Sequence, residues 1–132
     1  MSWTTPKTFT ALSTLPAADL NTHLRDNLNF LKSNIALGAA AKLTIATGEV
    51  TKTQTYHSVE TEAEAASDDL ATINGGSAGD VLILRPFHTD RTVVVKNGTG
   101  NIDCDADITM NSTSKFVVLL YDGTNWQLLA SR

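Results

Sequence analysis

Residues 116–131 read FVVLLYDGTNWQLLAS, and this stretch decides the fold class. Two apolar runs, rich in the branched and aromatic residues that suit a pleated sheet, flank Asp122-Gly123-Thr124-Asn125. Asp and Asn bond their own backbone in turns and Gly accepts positive φ, so the pattern is that of a β-hairpin. Outward from it, strand-like runs alternate with turn clusters. Strands are expected over residues 43–47, 50–60, 70–73, 80–85, 92–96, 108–110, 115–121 and 126–131. The clusters NGGSAG at 74–79, NGTGN at 97–101 and NSTS at 111–114 separate them. Residues 61–69, TEAEAASDD, read as a solvated acidic loop. The 132 residues include 19 Thr, 9 Asn and 9 Ser, a bias toward strands and turns. The expected fold is mainly β: an N-terminal arm and α-helix over residues 1–41, then an antiparallel β-sandwich of jelly-roll type over residues 42–132.

Two runs are apolar on both faces, Val81-Leu82-Ile83-Leu84 and Phe116-Val117-Val118-Leu119-Leu120. A strand that buries one face alternates, so the second face needs a cover that a small sandwich does not supply. Contact between subunits is the simplest cover, with Val81, Ile83, Val117 and Leu119 at the interface.

The first 41 residues read differently. Trp3, Pro6 and Phe9 stand in a Thr-rich, extended arm. Thr14 suits a helix N-cap, Pro16 the first turn, and Asp19 the positive end of the helix dipole. Leu20, Leu24, Leu28, Leu31 and Ile35 then recur at spacings of 4, 4, 3 and 4. They share about 80° of arc on a helix, a narrow seam. Gly38 suits a helix stop. Such a seam packs on the chain's own β domain, joins like helices, or lies in a partner's groove.

Several function classes lack support. The formal charge of −4 opposes nucleic-acid binding, which needs a basic surface to displace counterions. No apolar run approaches a membrane span, and the opening MSWTTPKTF carries no secretory signal pattern. The single cysteine, Cys104, makes neither an internal disulfide nor a zinc cluster. GGSAG at 75–79 matches the nucleophile-elbow pattern around Ser77, but a strand-like VLILRP follows where the elbow needs a helix. DCDAD at 103–107 opens like a calcium loop, yet Ile108 and Ser114 stand where that loop needs Gly and Glu. In a strand its three aspartates would share one solvated face. His23, His57 and His88 have no ligand spacing, and Arg85, Arg91 and Lys96 could at most form a small basic cluster. No catalytic residue, metal ligand or cofactor is assigned.

The stretch SWTTPKTFTALSTLPAADLNTHLRDNLNFLK at 2–32 resembles an opening seen in virion proteins of tailed bacteriophages. The resemblance rests on Trp3, Thr5-Pro6, Phe9, the run Pro16-Ala17-Ala18-Asp19-Leu20-Asn21, and His23-Leu24-Arg25-Asp26-Asn27. Leu15-Pro16 replaces the Thr-Ala pair usual at that helix start. LATINGGSAGDVLILRP, VKNGTGNI and LLYDGTNWQLLAS resemble the β modules that end phage fibre, decoration and tail proteins. The resemblance implies a non-enzymatic, homotrimeric module on the virion surface, made in the host bacterial cytoplasm. Its N-terminal segment (Trp3, Phe9, Leu20, Leu24, Leu28, Leu31, Ile35) would hold it to other virion proteins, the major capsid protein or a tail protein. A head decoration protein or short head fibre suits the small size. The alternative is a small tail or tail-fibre component that acts as a receptor- or carbohydrate-binding adhesin. No nucleic-acid or membrane partner is implied.

Overall fold

A computed structural model describes residues 4, 5, 7, 8, 14, 16–35 and 37–132, with the side chains of 32–35 left out of the description. Trp3 and Phe9 lie outside the described residues, as does the side chain of Ile35. The chain divides into two compact units, Met1–Gly38 and Ala39–Arg132.

In the first unit, helix α1 (Ala17–Leu20) leads through a π-helical stretch, Asn21–Asp26, into α2 (Asn27–Ile35). The cap residue is Pro16, in extended conformation and with no side-chain capping bond. Its carbonyl accepts the first helical bonds from the Asp19 and Leu20 N–H groups (3.0 and 3.3 Å). The expected Thr14 cap is thus displaced by two residues, because proline at 16 has the extended backbone that an N-cap needs. The arm is tied to the helix at two points. Thr4 N–H donates to Asn27 Oδ1 and Asn27 Nδ2 donates to the Thr4 carbonyl, both at 2.9 Å. Lys7 Nζ stands 2.6 Å from Asp19 Oδ2. Thr4 thus meets the helix at Asn27 and Lys7 meets it at Asp19, an order opposite to that of the helix.

The second unit holds β1 (Ala41–Thr44), β2 (Glu49–Thr51), β3 (Tyr56–Glu60), β4 (Ser67–Leu70), β5 (Thr72–Asn74), β6 (Val81–Pro86), β7 (Thr92–Val95), β8 (Ile102–Asp103), β9 (Ile108–Met110), β10 (Val117–Tyr121) and β11 (Trp126–Ser131). The mainly β expectation holds, but the antiparallel sandwich is replaced by a solenoid-like stack. Successive turns of chain lay parallel strands on one another: β1, β3 and β6 in one sheet, β2 and β5 in a second, β4 and β7 in a third. The stack ends where the chain reverses, with β9 antiparallel to β7 and β10 antiparallel to β6. β11 folds back on β10 through the Asp122 to Asn125 hairpin and pairs in parallel with β8.

The difference has a physical cause. Gly and Asn clusters mark where the chain turns, but do not say whether the next strand joins its predecessor or the coil below. The 50–60 run is one strand by composition and two in the structure, because residues 52–55 turn the corner between sheets. His57 fixes that corner from inside. Its Nε2 accepts the Thr53 and Gln54 N–H groups (both 3.1 Å), and its Nδ1 bonds the Ala41 carbonyl (3.0 Å). A carbonyl only accepts, so the ring carries its proton on Nδ1. The segment 61–69, expected as an acidic loop with a short helical turn as the alternative, holds a 3-10 turn at Glu62–Glu64 and the start of β4.

Stacking aligns side chains from coil to coil. Val50 lies beside Ile73, Leu70 beside Val95, His57 beside Leu84, and Leu84 beside Val117, all inside. In the last coil the second sheet lacks a third strand, and Asn101 takes its place. The Ile73 N–H donates to Asn101 Oδ1 and Asn101 Nδ2 donates to the Ile73 carbonyl, both at 2.9 Å. The same carbonyl accepts Nε1–H of the fully buried Trp126 at 3.0 Å. Gly76 permits this: a Cβ there would lie 2.8 Å from the Trp126 ring and 2.9 Å from Tyr121.

Asn101→Ala strips the buried Ile73 N–H of its acceptor, which costs about 1–3 kcal/mol. Asn101→Asp, which keeps an acceptor but loses the donor, should fall between native and Ala in urea unfolding. Separately, Thr47 has φ of 52° ahead of Gly48 at 79° in the hairpin that joins Ala46 and Glu49. A β-branched residue is strained there and Asn is not, so Thr47→Asn should raise stability by about 0.5–1 kcal/mol in the same assay.

Candidate functional site

The most heavily charged interior feature is a corner built on Glu60, at the end of β3. Its side chain is 3% exposed, with Arg91 Nη1 at 2.6 Å and Lys42 Nζ at 3.5 Å. Arg91 also reaches Glu64 at 2.8 Å, and Thr61 N–H donates to Glu60 Oε1 at 3.1 Å. Burial pushes the Glu60 carboxyl up. The bonds from Arg91 and Thr61, with the charges of Arg91 and Lys42, outweigh it and hold the group below its ordinary value. Each charge has a partner within the chain, so the corner fastens β3 to the start of β7 and offers no free acid or base. Sequence reasoning missed it; a glutamate closing the strand-like run at 56–60, with Arg91 opening the run at 92–96, was the available signal.

The Ser77 loop is a structural turn. Ser77 N–H donates to Asp80 Oδ2 (2.9 Å), which also holds Lys52 Nζ at 2.7 Å. β6 follows directly, so no helix lifts the serine. His88 lies past the far end of that strand, roughly 20 Å of extended chain away.

The aspartate run at 103–107 does not form the expected strand face, since β8 ends at Asp103. Asp103 Oδ2 accepts from Gln127 Nε2 at 3.0 Å, while Asp107 pairs with Lys96 and accepts the Asn97 N–H at 2.8 Å. Asp103, Cys104, Asp105, Gln127 and Leu128 line an open cavity of about 280 Å³. Burial, then the charges of Asp107, Asp103 and Asp105, push the Cys104 thiol up and so disfavour its thiolate. Among the described residues no group of three or more His, Cys, Asp or Glu converges as a metal site. The basic residues also stay apart. Arg91 serves the Glu60 corner, Lys96 faces Asp107 and Asp69, and Arg85 lies over the Tyr56 ring at 5.9 Å.

Exposed apolar side chains form rows on both units. On the largest sheet, Val117 and Leu119 are fully buried in the chain's own interior, so they are corrected out of any subunit interface. Alternation turns their neighbours outward: Val118 pairs with Ile83 and Leu120 with Val81. The outward row is thus Val81 (40% exposed), Ile83, Val118 and Leu120, with Leu129 (56%) beyond a register shift in β11. On the helix, Leu20, Leu24, Leu28 and Leu31 are 43, 55, 56 and 41% exposed. The shielded row is instead Asp19, Thr22, His23, Asp26, Asn27 and Phe30. Asn27, one of this shielded row, is committed to Thr4.

The sequence matches no protein-family model and no curated protein.

Acid should loosen the Glu60 corner. Its folded carboxyl lies below the unfolded value of about 4.3, so its stabilisation is present above that value and fades as pH falls through the folded one. Urea midpoints between pH 7 and 2.5 should drop in that window. Glu60→Gln should flatten the drop and cost about 1.5–3 kcal/mol at pH 7.

Proposed function

We propose that this chain is a non-enzymatic structural protein of a tailed-phage virion. It is a homotrimeric surface appendage, a head decoration protein or short head fibre, attached through its N-terminal segment. One observation carries the reading: a compact β unit joined to a separate helical unit whose leucine row is open. That is an assembly element beside a rigid display module, with the chain's charged clusters internally paired. The resemblance of residues 2–32 to phage virion openings supports the same division. On the β unit, the outward row of Val81, Ile83, Val118 and Leu120 is a surface that neighbouring copies can cover, since apolar area in water costs about 25 cal/mol per Å². The adhesin alternative needs an exposed aromatic platform; Trp126 is wholly inside, and Phe87, 44% exposed, lies under the Lys42 ammonium at 4.4 Å.

Deleting the first six residues, or combining Trp3→Ala with Phe9→Ala, should leave a folded trimer whose occupancy on purified virions falls at least ten-fold. A variant that co-purifies at full occupancy refutes attachment through this segment. A monomer mass for the native chain in light scattering at micromolar concentration refutes the trimer.

A further inference from the structure

The helix contains a mismatch that its own geometry repairs. Leu24, Leu28 and Leu31 fit heptad positions d, a and d, and Ile35 continues to a in sequence. Leu20 lies four residues before Leu24, where a seam needs three. In an unbroken α-helix it would stand at g, about 50° off the seam. The π-helical stretch Asn21–Asp26 begins at this misfit. A π turn closes its hydrogen bond one residue later than an α turn, so it absorbs one surplus residue. Counted that way, Leu20 falls at a, and Leu20, Leu24, Leu28 and Leu31 form one heptad row.

The surroundings of the row name its occupant. The chain's own arm is tied to Asn27 and Asp19, two members of the polar, shielded row, and leaves the leucines 41–56% exposed. A groove in an unrelated partner needs only an apolar face. A register restored to heptad spacing by a local change of helix type serves a partner with the same spacing. We infer that the leucine row is filled by the same helix of other copies, packed in parallel and in register, with the π turn setting the phase. The inference deepens the reading above and rests on its self-assembly. It divides the N-terminal segment, since the leucines face other copies while the arm remains for the particle.

Mild oxidation of the full-length protein tests it, with one cysteine introduced at a time and the native chain, whose Cys104 is buried, as background. Leu28→Cys at the seam should give predominantly disulfide-linked dimers, and Asn29→Cys, beside it at b, at least five-fold fewer. Deleting Asn21 removes the surplus residue and should keep the Leu28→Cys crosslink. Inserting an alanine after Arg25 shifts the register and should abolish it. Equal crosslinking at 28 and 29 overturns the inference, as does loss of the crosslink on deleting Asn21. An uncrosslinked Leu28→Cys chain that still scatters as a trimer overturns this inference alone and leaves assembly to the β unit. A monomer overturns both.

Discussion

The β unit depends on how the backbone of Ile73 is satisfied. Both its polar groups are buried beside the core, and in a solenoid the next coil would supply a strand to pair with them. Here a single side chain does so: the amide of Asn101 offers one acceptor and one donor, as a peptide unit does. The Trp126 indole adds a third bond to the same carbonyl and draws β11 inward over Gly76. Without this junction the second sheet would end on bare backbone at Ile73. Unpaired buried peptide groups are among the costliest defects a fold can carry.

That closure also sets how the interior is filled. The reversed strands fill one end of the stack with Val117, Leu119 and Trp126, while the acidic residues nearest the interior are drawn into corner pairs such as Glu60 with Arg91. Polar groups held this way fix the angle between sheets and are not free to titrate against a substrate. Two apolar rows also stay exposed, an outward row on the largest sheet and the leucine row of the helix. The arm bonds Asn27 and Asp19 on the polar row of the helix, while Leu20, Leu24, Leu28 and Leu31 stay 41–56% exposed.

The helix was legible in sequence because its leucines repeat at helical spacing, and the last hairpin because Asp122, Gly123 and Asn125 suit their turn. Two details were not. The four-residue step from Leu20 to Leu24 looked like ordinary helical drift, and only the π turn marks it as a phase correction. Val81, Ile83, Val117 and Leu119 were grouped as one face. Pairing of β6 with β10 sets Leu84 against Val117 and Ile83 against Val118, so the two strands turn alternate residues inward. A register is a relation between strands, and a run that is apolar on both faces does not announce it.

By itself the sequence determined the elements: strands where Thr, Val and Leu accumulate, turns at Asn and Gly, a helix beyond Pro16, and no motif with its catalytic partners. Those are local properties, set by backbone sterics and side-chain entropy over a few residues. The tertiary structure alone decided that β1, β3 and β6 stack in parallel, that Asn101 stands in for a strand, and that Glu60 meets Arg91. Each joins residues far apart in the chain, and their free energy exists only once the coils lie on one another.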